Sequence, residues 1–277
     1  ENVLQNRVIY YNDTENDFNQ VRVFPQLSSK ISFPLIKNDS KKSQILEPVL
    51  MPIIAPYNNY RNDQNVSNSN IFSLNRETSL SQWESGPRLN YGLNWLVSYD
   101  DLAINTNVGQ SLKLNKESNE SKEEKSDYFI TNIIDFKSFG YIKTDLTIDS
   151  ENIYLKDNNI NTSINIGNIK FGFDYDYESN NRIKTSEQIS IGTKVNLRKD
   201  INLIASIRKD LMKEKSIGNA LGLHYENDCL AINFDYFKDF TAVGDIKDSH
   251  GFSFTITLKP FGTSKQQGKT RNFGPDL

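Results

Sequence analysis

Long segments in which apolar and polar side chains alternate strictly constrain this chain more than any other feature of its sequence. Successive side chains of a β-strand point to opposite faces of the sheet, so each such segment has one apolar and one polar face. The pattern predicts an all-β, antiparallel chain of about 14 strands. The clearest segments span residues 89–97, 169–177, 189–197, 230–236 and 252–258.

The length of these segments and the character of their polar faces favour a membrane barrel over a soluble sandwich. Most segments run for about 9–12 residues, whereas strands of soluble proteins are mostly about 5–6 residues long. The polar faces carry Gly, Ser, Asn, Asp and Lys in strand after strand, which suits a water-filled lumen. A mean hydropathy of -0.59 fits such a barrel, and no apolar run approaches the roughly 18 residues of a spanning helix. We therefore expect a transmembrane β-barrel.

The connections between the segments add an independent prediction. Short turns are expected at residues 100–101, 137–140, 167–168, 198–200 and 226–228, and longer links at 58–85, 115–126, 179–184, 212–216 and 241–249. Outer-membrane barrels have short periplasmic turns and longer extracellular loops. The alternation therefore predicts that the short turns face the periplasm. We assign residues 1–262 to the barrel and residues 263–277 to a polar tail.

Prolines make the first part of the chain less regular. A proline has no N–H group to donate to a sheet, so strands that contain one are expected to be bent, bulged or at an edge. The residues concerned are Pro25, Pro34, Pro48, Pro52 and Pro56.

Charge and candidate chemistry point away from an enzyme. The net charge of -3 leaves no basic excess for nucleic acid. His224 and His250 lie in no cluster with metal-ligand spacing, so we expect no metal and no cofactor. Ser111 and Ser190 do not lie in a nucleophile elbow.

The polar faces supply candidate residues for the lumen. Alternation places Asp174, Asp176, Asn233 and Asp235 there, most simply as water-facing groups. The same alternation puts several glycines on the lumen side, where they indicate either close packing of a plug or bends in the wall. They are Gly92, Gly109, Gly172, Gly192, Gly218 and Gly222.

Several motifs, in a fixed order along the chain, resemble the C-terminal barrel of the LptD (OstA) family, especially its alphaproteobacterial members. The loop at residues 77–84 departs from the family pattern, which usually has an aromatic, glycine-containing run there. The matching stretches are residues 46–48 (Leu-Glu-Pro), 71–76 (Ile-Phe-Ser-Leu-Asn-Arg), 86–93 (Gly-Pro-Arg-Leu-Asn-Tyr-Gly-Leu), 109–111 (Gly-Gln-Ser), 126–128 (Ser-Asp-Tyr) and 228–230 (Asp-Cys-Leu).

The resemblance implies a function, a location and partners. It implies an outer-membrane protein that moves lipopolysaccharide from a periplasmic bridge to the outer leaflet, with an LptE-like lipoprotein plug in the lumen. The periplasmic domain that meets the bridge and the first barrel strands would lie upstream of Glu1. Cys229, the single cysteine, would form a disulfide with that domain. Alternation places the Cys229 side chain toward the lumen in either case. The alternative to the disulfide is that Cys229 is an unpaired small residue at the start of a strand.

The resemblance also implies a lateral gate formed by the strand at residues 250–260. Lipopolysaccharide has a polar sugar part and an acyl part, so it must leave the lumen through a seam that opens. Pro260 weakens the ladder at one end of this strand. An ordinary barrel-closing strand fits the same residues. Ser253, Thr255 and Thr257 would face the passing sugar, whereas Phe252, Phe254, Ile256 and Leu258 would face lipid.

Three other classes of protein remain as alternatives. A passive porin of another family would need no periplasmic cysteine partner. A barrel enzyme, such as a lipase or protease, would need a convergent nucleophile and base. A soluble β-rich binding module would not need an apolar outer band.

Overall fold

The computed structural model describes residues 2–13, 18–56, 66–74, 76, 84, 86–113, 125–240, 248–259 and 262–264. Within these ranges the regular structure consists of antiparallel β-strands. No helix in this part of the chain is long and apolar enough to cross a membrane.

Seventeen strands lie in the described ranges. The strands are β1 (Asn2–Asp13), β2 (Phe18–Ser29), β3 (Ile31–Ser32), β4 (Leu35–Asp39), β5 (Lys42–Ile54), β6 (Arg88–Ser98), β7 (Ala103–Lys113), β8 (Tyr128–Phe136), β9 (Gly140–Ile148), β10 (Leu155–Ile166), β11 (Ile169–Asn180), β12 (Ile183–Arg198), β13 (Ile201–Asp210), β14 (Lys215–Glu226), β15 (Leu230–Asp239), β16 (Ser249–Leu258) and β17 (Gly262–Ser264). The sequence predicted about 14 strands in total. Fourteen of the seventeen have nine residues or more, and the other three, β3, β4 and β17, are short.

The chain divides into two compact units. The first contains residues 1–132 and 145–155, and the second contains residues 133–144 and 156–277, so β8 and β9 contribute to both. In the first unit β1 pairs with β2, β5 pairs in turn with β2, β3 and β4, and β6 pairs with β5 and β7. In the second unit β10 to β17 form an uninterrupted antiparallel meander.

The prolines differ in their effect on the strands. Pro34 lies in the break between β3 and β4, whereas Pro48 and Pro52 do not end the strand that contains them. Pro48 and Pro52 lie inside the continuous strand β5 and pair with Leu93 and Leu89 of β6. The predicted alternatives of an edge strand and of a bulge are therefore wrong for β5, which keeps one register with β6 and is paired on its other side as well. On its other edge β5 meets the broken line β2–β3–β4, and the break at residues 33–34 lies opposite Pro48. Phe33 N–H still donates to Pro48 O at 3.2 Å, but Pro48 has no N–H to return.

The turns confirm one half of the predicted alternation of short and long links. The connections β6–β7, β8–β9, β10–β11, β12–β13 and β14–β15 contain two to four residues. The links expected to be longer at residues 179–184 and 212–216 are also short, because β11 and β12 are separated only by residues 181–182, and β13 and β14 by 211–214. The ladder continues into polar sequence there, since backbone pairing does not require an apolar face. Residues 115–124 and 241–247, which belong to two other predicted links, lie outside the described ranges.

In the second unit exposure alternates most clearly along β14 and β16, as the sequence pattern predicts. On β16 the side chain of Phe252 is 65% exposed and that of Ser253 is 2% exposed. The apolar face carries large exposed side chains on one strand after another, an arrangement suited to lipid contact. They include Phe171, Ile191, Ile207, Leu221, Leu223, Phe234, Phe252 and Phe254.

Candidate functional site

A segment between β5 and β6 lies against the wall of the first unit. We call residues 66–74, 76 and 84 the strap. A Cβ atom added to Gly109 on β7 would lie 3.1 Å from the buried Ile71 side chain, and one added to Gly92 on β6 would lie 2.8 Å from the Phe72 ring. Gly92 and Gly109 are partners across the β6–β7 ladder. Both glycines leave space for the apolar tip of the strap, although a Cβ atom at Gly92 would first meet the backbone oxygen of Val108 on β7. They therefore mark close packing by a segment of this same chain and, at Gly92, also by the neighbouring backbone.

Three buried charges tie the strap to β6. The Arg76 guanidinium forms two hydrogen bonds with the Glu84 carboxylate, one of them from Nε to Oε2 at 2.6 Å. Arg88 of β6 approaches the same carboxylate, with Nη2 3.3 Å from Oε2. All three side chains are at most 3% exposed. Arg88 also donates a hydrogen bond to the backbone oxygen of Leu74.

Neutral polar groups continue this network into the sheet. Ser111 Oγ accepts a hydrogen bond from Arg76 at 3.3 Å and donates to Asn90 Oδ1 at 2.7 Å. Gln26 of β2 donates to the backbone oxygen of Glu84 at 3.1 Å. Ser126 Oγ accepts the Ser111 N–H at 2.9 Å. The strap is therefore linked to three strands and to the start of the segment before β8.

The wall around the strap is more apolar than the sequence analysis predicted for an inward face. Val49, Met51 and Ile53 of β5 are 3%, 5% and 1% exposed. In the β5–β6 ladder they stand opposite Gly92, Asn90 and Arg88, and residues that are directly opposite share a face. This face of the first unit is a small core, and in this region the interior is not the wet polar surface that alternation suggests.

Motifs that are separated in the sequence meet at this cluster. The stretches 71–76, 86–93, 109–111 and 126–128 all contribute side chains or backbone to it. Glu84, the one carboxylate in the ionic network, lies in the stretch that departs from the family pattern, and the sequence analysis assigned it no role. One feature of the sequence could have indicated this role. Glu84 is an acidic residue between two arginines, eight residues after Arg76 and four before Arg88.

In the second unit, three of the predicted lumen residues contact polar side chains of a neighbouring strand. Asn161 and Asn159 of β10 donate hydrogen bonds to Asp174 and Asp176 of β11. Asp235 Oδ1 lies 2.7 Å from His224 Nε2, above Gly222. The pairing of His224 with Asp235 was not predicted, because residues eleven apart meet only through the register of β14 and β15.

Asn233 and the residues of β16 extend the same face. Asn233 stands opposite His224 on β14 and Thr255 on β16. On β16, Ser253 is buried and Thr255 and Thr257 are half-buried. Four apolar side chains on the other face of the strand are exposed, namely those of Phe252, Phe254, Ile256 and Leu258. Pro260 lies outside the described residues.

Cys229 lies in the turn between β14 and β15, one residue before the strand in which alternation placed it. Its side chain is exposed and its thiol is free. Asn227 Oδ1 accepts the N–H groups of Cys229 and Leu230 at 3.0 and 2.8 Å, and Lys259 N–H donates to Cys229 O at 3.0 Å. The backbone that presents the thiol is therefore well anchored. The described residues contain no group of three or more metal-ligating side chains.

A two-faced antiparallel sheet of long strands, with an exposed apolar band, defines the class of outer-membrane β-barrel proteins. The model of the LptD family, "LPS transport system D", matches residues 5–238. The chain belongs to the LptD family. It is a component of lipopolysaccharide transport in the outer membrane and is not an enzyme. The alphaproteobacterial type stays a prediction.

Two solved structures and the curated proteins complete the comparison. A triple mutant of the Rhodopseudomonas blastica porin is 8% identical with a TM-score of 0.43, and a second mutant of that porin is 8% identical with a TM-score of 0.42. Each alignment covers 94% of this chain and 90% of the porin chain. Comparison with curated protein sequences finds no significant match.

Proposed function

We propose that this chain releases lipopolysaccharide into the outer leaflet through a lateral seam at β16. The observation that carries the proposal is the unequal pairing of the two edges of β16. One edge forms ten residue pairs with β15, whereas the other, within the residues that the structure describes, forms three pairs with β17. An edge with few ladder hydrogen bonds opens at lower cost than a fully paired one.

The two faces of β16 match the two parts of the transported lipid. Sugars and phosphates of lipopolysaccharide need hydrogen-bonding surroundings, which Ser253, Thr255 and Thr257 offer. The acyl chains need an apolar surface, which Phe252 and Phe254 offer on the opposite face. A molecule that leaves along this seam keeps each part next to a suitable surface.

Photo-crosslinking in living cells tests this proposal. In the full-length protein a photoreactive amino acid replaces Ser253 or Thr255, and adducts with lipopolysaccharide are measured after illumination. Ser190 is the matched control, since it is a buried serine on β12, a strand paired with both neighbours over at least ten residue pairs. We expect several-fold more adduct at Ser253 and Thr255 than at Ser190. Equal yields would contradict the seam, and no adduct at any position would contradict passage through this protein.

Cys229 supports a second element of the proposal, a disulfide to a cysteine outside this chain. The chain has one cysteine, its thiol is exposed, and the turn that carries it is held by Asn227. In a translocon such a bond would hold the barrel against a periplasmic domain that meets the lipid bridge. An LptE-like lipoprotein in the lumen belongs to the same proposal and rests on family membership.

The disulfide predicts a change of mobility in electrophoresis. Full-length protein from cells whose free thiols were blocked should migrate differently with and without reductant, and Cys229→Ser should remove that difference. Asp228→Ser, a change at the neighbouring residue, is the control and should leave the difference intact. A reductant-dependent shift that persists in Cys229→Ser would show that Cys229 takes no part.

A further inference from the structure

The apolar face of the second unit carries basic side chains at one end of its strands. Lys209 is the penultimate residue of β13, Lys238 is the penultimate residue of β15, and His250 is the second residue of β16. In an antiparallel sheet the end of one strand lies beside the start of the next, so all three lie at the same end of the sheet. This end is opposite to the turns β12–β13 and β14–β15, which were predicted to face the periplasm.

The three basic side chains share the face that bears the exposed apolar residues. Lys209 lies two residues from Ile207, and His250 lies two residues from Phe252. An even spacing along a strand keeps side chains on the same face. Lys238 stands directly opposite His250 in the β15–β16 ladder and therefore shares its face. All three side chains are exposed.

Aromatic rings adjoin the basic pair on β15 and β16. Two residues along the ladder from Lys238 and His250, Tyr236 stands opposite Phe252. The centroid of the Phe252 ring lies 5.2 Å from that of Tyr236 and 5.7 Å from that of Phe234. A charged layer followed by an aromatic layer is typical of the boundary between lipid head groups and acyl chains.

The opposite end of the same face has a different composition. On β13 to β16 it carries uncharged side chains, namely those of Ile201, Tyr225, Leu230 and Leu258. Both leaflets of a membrane border water, so side chains that only marked the water interface would be similar at both ends. The basic residues therefore match a property that one leaflet has and the other lacks.

Neither lysine forms an ion pair with a carboxylate among the residues that the structure describes. Asp210, next to Lys209, lies 3.6 Å from the Lys213 ammonium. Asp239, next to Lys238, is 2% exposed and belongs to the other face of its strand. Two exposed positive charges thus remain available for an anion outside the chain.

We propose that Lys209, Lys238 and His250 bind the phosphate groups of lipopolysaccharide on the outside of the wall, beside the seam at β16. The two ammonium groups and the imidazole N–H donate hydrogen bonds to phosphate oxygens. The exposed apolar side chains of the same face contact the acyl chains. The inference rests on the proposed function, since it names where the lipid is held after it has left the seam.

Photo-crosslinking on the outer wall tests the inference in cells that also carry the unaltered protein. A photoreactive amino acid replaces Asn219, which is exposed and pairs with Lys238 in the β14–β15 ladder. We expect lipopolysaccharide adducts whose yield falls several-fold when Lys209→Gln and Lys238→Gln are introduced together. The matched control, Lys41→Gln with Lys199→Gln, removes two exposed lysines from other turns and should leave the yield unchanged. Equal yields in all three backgrounds, or no adduct in any of them, would overturn the inference.

A second position tests whether the binding is confined to one end of the wall. Tyr225 lies on the same strand as Asn219, near its other end, and pairs with Ile232 on the apolar face. The photoreactive amino acid at Tyr225 should give several-fold less lipopolysaccharide adduct than at Asn219. Equal adduct at the two positions would contradict a surface that belongs to the outer leaflet.

The chemistry of the lipid is tested with the purified full-length protein in phosphatidylcholine nanodiscs that contain lipopolysaccharide. Phosphatase-treated lipopolysaccharide should lower the adduct at Asn219 as much as the two lysine substitutions do. An undiminished adduct with the treated lipid would mean that acyl contacts alone hold it, against the inference. Displacement of lipopolysaccharide by an equal amount of phosphatidylglycerol would also overturn it, because the surface would then bind any anionic lipid.

Failure of the inference and failure of the proposed function give different results. If lipopolysaccharide does not leave at β16, the adducts at Ser253 and Thr255 are no more abundant than at Ser190, while the nanodisc assay still measures binding at Asn219. If only the inference fails, the adducts at Ser253 and Thr255 remain and the yield at Asn219 does not depend on the two lysines.

Discussion

Replacing Glu84 with glutamine is expected to destabilise the folded protein by about 3–5 kcal/mol, the range found when one partner of a buried ion pair is removed. The change keeps the shape of the side chain, removes its charge and replaces one of its two acceptor oxygens with an NH2 donor. Arg76 and Arg88, both at most 2% exposed, would then lie side by side without a counter-charge. Equilibrium unfolding in urea with lipid vesicles measures the loss.

Glu187→Gln is the matched control. Glu187 also forms an ion pair, with Lys184 at 2.6 Å, but the lysine side chain is 44% exposed. Exposed pairs contribute up to about 1 kcal/mol because water screens the charges. If the two variants lost equal stability, the ionic network of the strap would contribute no more than a surface pair.

Phe234→Arg is expected to cost about 2–4 kcal/mol if the residue lies near the middle of the bilayer, the penalty of an arginine on the lipid face of a barrel. The Phe234 ring is 46% exposed and stacks on Phe252, with ring centroids 5.7 Å apart. The substitution therefore places a charge in lipid and removes an aromatic contact.

The neighbouring residue gives the control for this substitution. Asn233 lies on the other face of β15, opposite His224 and Thr255. Asn233→Arg should cost much less, because a charge on the polar face stays hydrated. The same unfolding titration compares the two variants, and equal losses would contradict the assignment of the apolar face to lipid.

The alternation of apolar and polar residues was sufficient to predict where the strands lie and which face of each strand is apolar. The segment 169–177 became part of β11, and 252–258 became part of β16 with alternating exposure. This works because a strand places side chains on opposite faces whatever its neighbours are. Strand ends were harder to predict, because β11 and β12 continue through polar residues in which the alternation of apolar and polar side chains disappears.

Local sequence could determine which faces are apolar and where chain reversals occur, because both depend on neighbouring residues and on the geometry of a single strand. It could not reveal that Glu84 joins Arg76 and Arg88, that Ile71 and Phe72 fill the space above Gly109 and Gly92, or that His224 meets Asp235. Those contacts depend on strand register and on the return of a long loop to the sheet. Both are tertiary properties, because the groups that meet are far apart along the chain and their attraction acts only after the sheet has brought them within a few ångströms.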